Sequence, residues 1–250
     1  MEESIKYGQE NFNLPHDVVK LPSGGVYYKS KKKSLKVGYL TAADENILMA
    51  GSTIKEGIIM SLLRNKIYEP EIRPDELVEG DIQAILIFLR NTAFGPEYNF
   101  KLKDPETNKE FDTTILLDEL SFKETKNTID EEGLFSLTLP KSGLKVKIKP
   151  LSFAETSEIE KMASQYPVGR VAPTQTWKLN KIIVEIDGNR EKGSIAQTID
   201  TMPIVDSKYI RNFLNENEPG LDLKRTILAP SGREIPFEIS FGVEFFRPFF

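Results

Sequence analysis

The sequence predicts an α+β fold of two similar units, each with helices packed on a small antiparallel β-hairpin or sheet. Three observations carry this prediction. A short alternating strand runs into a capped helix, an apolar-faced helix leads into a hairpin, and the same order returns in the second half of the chain.

Residues 1–20 are polar and read as an N-terminal arm. The first unit, 21–120, opens with Leu21-Pro22-Ser23-Gly24-Gly25, where proline fixes its own φ and glycine accepts a positive one, so the chain turns. Leu35, Val37 and Tyr39 alternate with Lys36 and Gly38, the period of a half-buried strand. Thr41-Ala42-Ala43-Asp44 places a hydroxyl three positions before an acid, a capping-box spacing that starts a helix. Ile54, Ile58, Ile59, Leu62 and Leu63 share one face of a second helix. After Pro70 and Pro74, a third helix over Asp81 to Arg90 turns Ile82, Ile85, Leu86 and Leu89 to the core. Tyr98 to Leu102 and Phe111 to Leu117 then form a hairpin around a turn at Asp104 to Lys109.

Residues 121–138 read as a linker, since Lys123 to Gly133 is charged and without period. The second unit, 139–250, repeats the order. Leu139-Pro140-Lys141-Ser142-Gly143 returns the Leu-Pro turn, and Leu144-Lys145-Val146 matches Leu35-Lys36-Val37. Leu151-Ser152-Phe153-Ala154-Glu155 parallels Leu40 to Asp44, and Tyr209 to Leu214 takes the place of Ile85 to Leu89. A second hairpin turns at Pro230-Ser231-Gly232. Its return strand is predicted over Ile235 to Phe245, where apolar residues alternate strictly with Pro236, Glu238, Ser240, Gly242 and Glu244.

The residue inventory argues against an enzyme. The chain of 250 residues has no cysteine and one histidine, His16, expected as a solvated surface residue of the arm. That leaves no triad, no thiolate nucleophile and no cysteine- or histidine-cluster metal site, so neither metal nor cofactor is expected. No glycine-rich phosphate loop is present, and the acids Asp130-Glu131-Glu132 fall in the linker as solvated charge. A net charge of −5 offers no general attraction to nucleic acid or anionic membrane. No apolar run approaches the roughly 20 residues that span a bilayer, and Met1 to Lys6 lacks the pattern of a secretory leader, so a product that stays where it is made, or leaves inside a larger particle, is expected.

Two clusters remain as candidate sites. Lys29, Lys31, Lys32 and Lys33, with Tyr27 and Tyr28 beside them, could contact phosphate or simply form a charged loop or strand edge, and the acidic surroundings favour the loop. At the C-terminus, Phe245, Phe246, Arg247, Phe249 and Phe250 combine aromatic bulk with arginine, the residues of interface cores. They either pack on their own domain or insert into a partner. If they insert, deleting Phe246 to Phe250 leaves a folded protein that fails to assemble.

The motif order also resembles a known family, the baseplate hub and hub-assembly proteins of T-even-type phages. The resemblance lies in Leu21 to Tyr27, Leu40 to Leu48, Ile54 to Leu63 and Asn91 to Tyr98, and in the closing Phe-x-x-Pro-Phe-Phe of Phe245 to Phe250. It covers residues 20 to 120 firmly and the second half more loosely. It implies a non-catalytic structural or assembly subunit of a contractile-tail baseplate, present in host cytoplasm during assembly and then in the virion tail. Other baseplate and tail proteins would be its partners, with no small-molecule substrate. A tail-assembly chaperone absent from the mature virion is the alternative, and a DNA-contacting module using the lysine run a third. Related proteins carry a Cys-Pro-x-Cys knuckle at the first hairpin. Here that turn is Asp104-Pro105-Glu106-Thr107, so the resemblance implies a hairpin without metal.

Overall fold

The computed structural model describes residues 15–49, 55–124, 127–241 and 243–246. It is α+β, with seven described helices and small antiparallel sheets of two or three strands.

Strand β1 (His16–Lys20) pairs with β2 (Ser34–Gly38), so the last residues of the expected arm form a strand. Helices α1 (Ala42–Met49) and α2 (Lys55–Lys66) follow. Asp44 does reach back to Thr41, accepting its N–H at 2.7 Å and its hydroxyl at 2.6 Å, and a lysine of α2, Lys66, pairs with the same carboxylate. A 3-10 turn at Pro74–Glu76 leads to α3 (Glu79–Phe94), then β3 (Glu97–Lys103) and β4 (Glu110–Leu116) make the expected hairpin. Ile54 lies outside the described residues.

The second half begins inside the expected linker. Strand β5 (Phe135–Thr138) pairs with β6 (Lys145–Ile148), and β7 (Ile183–Ile186) adds to the other edge of β6. Helix α4 (Phe153–Ser164) starts with the predicted capping box between Ser152 and Glu155. Helices α5 (Thr174–Ile182), α6 (Lys192–Asp200) and α7 (Ile204–Asn217) follow, then the hairpin β8 (Lys224–Leu228) and β9 (Glu234–Glu238).

Hairpin register corrects one alignment. Leu35 pairs with Val19, two residues before Leu21, and Val146 pairs with Leu137, two residues before Leu139. By hairpin register, Leu35 and Val146, rather than Leu35 and Leu144, stand opposite the residue two before the Leu of each Leu-Pro turn. An offset of two keeps every side chain on its own face, which is why the in–out pattern could be read while the register could not. The correspondence extends to the next contact. Val37 makes a single antiparallel bridge with Ile67, just after α2, and Ile148 pairs with Ile183, just after α5.

Strand β9 is shorter than its alternation predicts. Ile239 makes one further bond, donating its N–H to Leu223 O at 3.1 Å, and the chain enters a 3-10 turn at Val243–Phe246. The facing chain leaves the pair beyond Leu223, because Leu221 bridges to Phe122 instead. Alternation marks one apolar face, whereas strand length is set by the partner.

Buried apolar side chains form two clusters. The first joins Leu35, Val37, Leu62, Leu63, Ile85 and Leu89 to Leu221, Leu223, Ile239, Phe245 and Phe246 from the end of the chain. The second lies wholly within 135–214, around Phe135, Ile148, Ile183, Ile195 and Ile210. The β8–β9 hairpin, expected in the second unit, thus packs on the first core. Phe237 stacks on Phe100 with ring centroids 4.3 Å apart.

Candidate interaction surfaces

Four polar constructions hold this frame, and each uses its charge internally. Asp81, the third residue of α3, is fully buried under the first Leu-Pro turn. It accepts the N–H of Ser23 at 2.9 Å, the Ser23 hydroxyl at 2.5 Å and the Tyr28 hydroxyl, which itself accepts from Val78 N–H. Burial raises the Asp81 carboxyl above the ordinary range against the pull of these donors, and burial raises the Tyr28 phenol too. Asp206, the third residue of α7, does the same for the second Leu-Pro turn. It accepts the N–H groups of Lys141 at 2.7 Å and Ser142 at 2.9 Å. Burial opposes its charge, yet the Lys141 N–H and the hydroxyl and N–H of Ser142 win and hold it below the ordinary range.

Asp104 clasps the two hairpin tips. It accepts from Glu106 and Thr107 N–H within its own turn, and from the N–H and hydroxyl of Ser231 at 3.0 and 2.9 Å. The carboxylate thus closes both turns by hydrogen bonds at the position where the resemblance would put a knuckle. Among the described residues, no group of three or more His, Asp or Glu is placed to hold a metal.

Arg90 is the fourth. Fully buried on α3, it donates to Phe245 O at 3.1 Å, Gly95 O at 2.8 Å and Glu97 O at 3.0 Å. Its guanidinium lies 5.1 Å from the Tyr98 ring centroid and 5.6 Å from that of Phe245, so aromatic faces replace the missing water. Burial lowers its pKa.

This lock decides the position of the phenylalanine-rich end as far as it is described. Phe245 and Phe246 are buried in the chain's own core, with their rings edge to face at 5.2 Å. A deletion beginning at Phe246 therefore removes core as well as tail. Arg247, Phe249 and Phe250 lie outside the described residues.

The lysine run is dispersed rather than assembled. Lys31 donates to Val26 O at 2.7 Å and Glu131 O at 3.1 Å, while Lys32 pairs with Glu69 and, at 2.6 Å, with Glu71. Lys29 and Lys33 are exposed. His16 sits in β1, its ring edge to face with Tyr68 at 5.8 Å, instead of in a polar arm.

Two surfaces are open. A groove of about 690 Å³ runs between the cores, floored by Ile82, Leu86, Phe153, Ile182 and Leu214 and reached by Lys178, Arg211 and Glu160. A second, of about 860 Å³, adjoins it and shares Glu79, Gln83, Asn215 and Glu218. Glu218 closes the end of α7 between them. Burial pushes its carboxyl up to about 7, Glu79 adds to the shift and Lys123 opposes it. Exposed apolar residues also gather in the α4–α5 loop, at Val168 and Val171, and on the first turn of α7, at Ile204 and Val205. Sequence reasoning missed the grooves and the buried roles of Asp81, Arg90, Asp104 and Asp206. The one available signal was that Asp81 and Asp206 stand at matching places after the two Leu-Pro turns.

Among the described residues, these buried charges hold turns and chain ends, and the open features are grooves and exposed apolar positions. The family model described as T4 bacteriophage base plate protein matches residues 17–231, and the chain belongs to that family. It is thus a phage baseplate protein. The match spans both cores and stops at Ser231, short of β9 and the phenylalanine-rich end. No curated protein and no solved structure matches the chain. No described helix is long and apolar enough to cross a membrane.

Proposed function

We propose that this chain is a non-catalytic subunit of the hub region of a contractile-tail baseplate, built from tandem copies of one α+β unit and working through protein–protein interfaces. The observation that carries the reading is the use of its buried charge. Catalytic sites expose perturbed groups to a cleft where substrate can meet them, and among the described residues Glu218 alone does so. Here Asp81, Arg90 and Asp206 are spent on Ser23, Phe245, Lys141 and Ser142 of the same chain. The tandem reading draws support from the matching registers around Leu35 and Val146 and from the two aspartate clamps. Open apolar positions such as Val168 and Ile204 suit contact with neighbours better than contact with water.

The test is cross-linking mass spectrometry on tagged chain recovered from infected cells. Cross-links to baseplate proteins, concentrated on α7 and the α4–α5 loop, are expected. Recovery with no baseplate protein attached, while particles assemble normally, would reject the reading.

A further inference from the structure

We propose that the two adjoining grooves form one trough that binds an extended segment of a partner protein, with apolar residues followed by lysine or arginine. The inference rests on the interface reading above and names the partner chemistry for one surface. The first groove supplies partly exposed apolar side chains at the junction of the two cores, Ile59, Leu151, Phe153 and Phe241, and so takes side chains that gain by leaving water.

The second groove reverses the chemistry. Its lining holds six acids, Glu79, Glu124, Glu216, Glu218, Asp222 and Glu238, against two lysines, Lys123 and Lys224. Among the described residues, Glu124, Glu216, Glu218 and Glu238 enter no ion pair. A concave surface lined by one sign of charge concentrates field and selects a cationic ligand. Glu218 stands where the two grooves meet, so it fixes the register at which apolar residues give way to basic ones.

The charged and titratable groups around Glu218 are Glu79 on α3, Lys123 on the segment after β4 and Tyr27 on the first turn. Two of the three disfavour its ionisation or are disfavoured by it, and only Lys123 helps. A lysine or arginine arriving beside Glu218 must therefore meet the carboxylate form, so binding releases a proton. Affinity then rises as pH rises through about 7 and falls below it.

The experiment uses the full chain and fluorescence anisotropy with two short acetylated, amidated peptides. One has leucine and phenylalanine in its first half and lysine in its second; the other carries glutamate in place of lysine. The lysine peptide is expected to bind at least about tenfold more tightly, and its affinity to rise about tenfold from pH 6 to pH 8. Glu218→Gln should abolish that rise, and Ser157→Trp, which fills the first groove, should weaken binding at every pH. Equal binding of both peptides, no binding of either, or indifference to Ser157→Trp overturns the proposal. Cross-links to baseplate proteins without peptide binding would leave the interface reading standing and remove this one.

Discussion

The two aspartate clamps hold equivalent turns with different donors. Asp81 faces one backbone N–H and two hydroxyls, from Ser23 and Tyr28, deep in the first core. Asp206 faces two backbone N–H groups, from Lys141 and Ser142, together with the Ser142 hydroxyl. Hydroxyls can also accept, so they tolerate a neutral partner, whereas N–H groups only donate and demand an acceptor on both oxygens. Depth decides the sign: burial wins at Asp81 in the core and raises its pKa, while at Asp206, under an exposed turn, the donors of Lys141 and Ser142 win and lower it. The third residue of a helix under a Leu-Pro turn can thus carry opposite electrostatics in the two halves of the chain.

Removing the acid should hurt the first clamp more. Asp81→Ala strands Ser23 and Tyr28 in the core and should cost about 3–4 kcal/mol in chemical denaturation. Asp206→Ala should cost about 2 kcal/mol, since its turn lies nearer water. The amide substitution should reverse that order. Asp81→Asn should lose less than about 1 kcal/mol because the hydroxyls reorient, and Asp206→Asn about 1–2 kcal/mol because its amide NH₂ confronts an N–H. If both Asn variants lose the same, the donor argument is wrong.

A pH series sharpens the contrast. The raised pKa of Asp81 means that its share of stability is full below the unfolded value and declines as pH rises through the folded one. The lowered pKa of Asp206 has the opposite sign, its share being present above the unfolded value and lost as pH falls through the folded one. Glu218 follows the sign of Asp81, between the ordinary glutamate value of 4.5 and about 7. Glu218→Gln should therefore stabilise the protein by about 2 kcal/mol at pH 8 and by little at pH 4, a difference that thermal melts at the two pH values would show.

The C-terminal lock gives the smallest expected effect and its largest foil. Ending the chain after Phe246 keeps both buried rings and should move Tm little, while ending it after Glu244 exposes Arg90 and opens the first core. Equal melting of the two truncations would remove Phe245 and Phe246 from the account of stability.

Much of this frame was legible because local chemistry and tertiary structure agree. The capping spacings at Thr41 and Ser152, the apolar face of α3 and the turn at Asp104 to Lys109 each appear where sequence reasoning put them. Strands β1 and β5 were hidden. Each directly precedes its Leu-Pro turn, β1 without a clean period and β5 with Phe135, Leu137 and Leu139 alternating with Ser136 and Thr138 but assigned to the linker after a charged run. Strand β9 failed in the other direction, since strict alternation outlasted its partner. The polar clamps were illegible because an aspartate in a first helical turn, or an arginine near a last one, is ordinary surface chemistry until a distant turn or chain end covers it.

Quantitative mass spectrometry of purified, DNA-filled particles tests the central claim most directly. A hub subunit should be recovered with the baseplate proteins in a fixed copy number and remain after high-salt washing. Its absence from particles with complete baseplates would contradict that claim and make the chain a factor that acts during assembly and leaves.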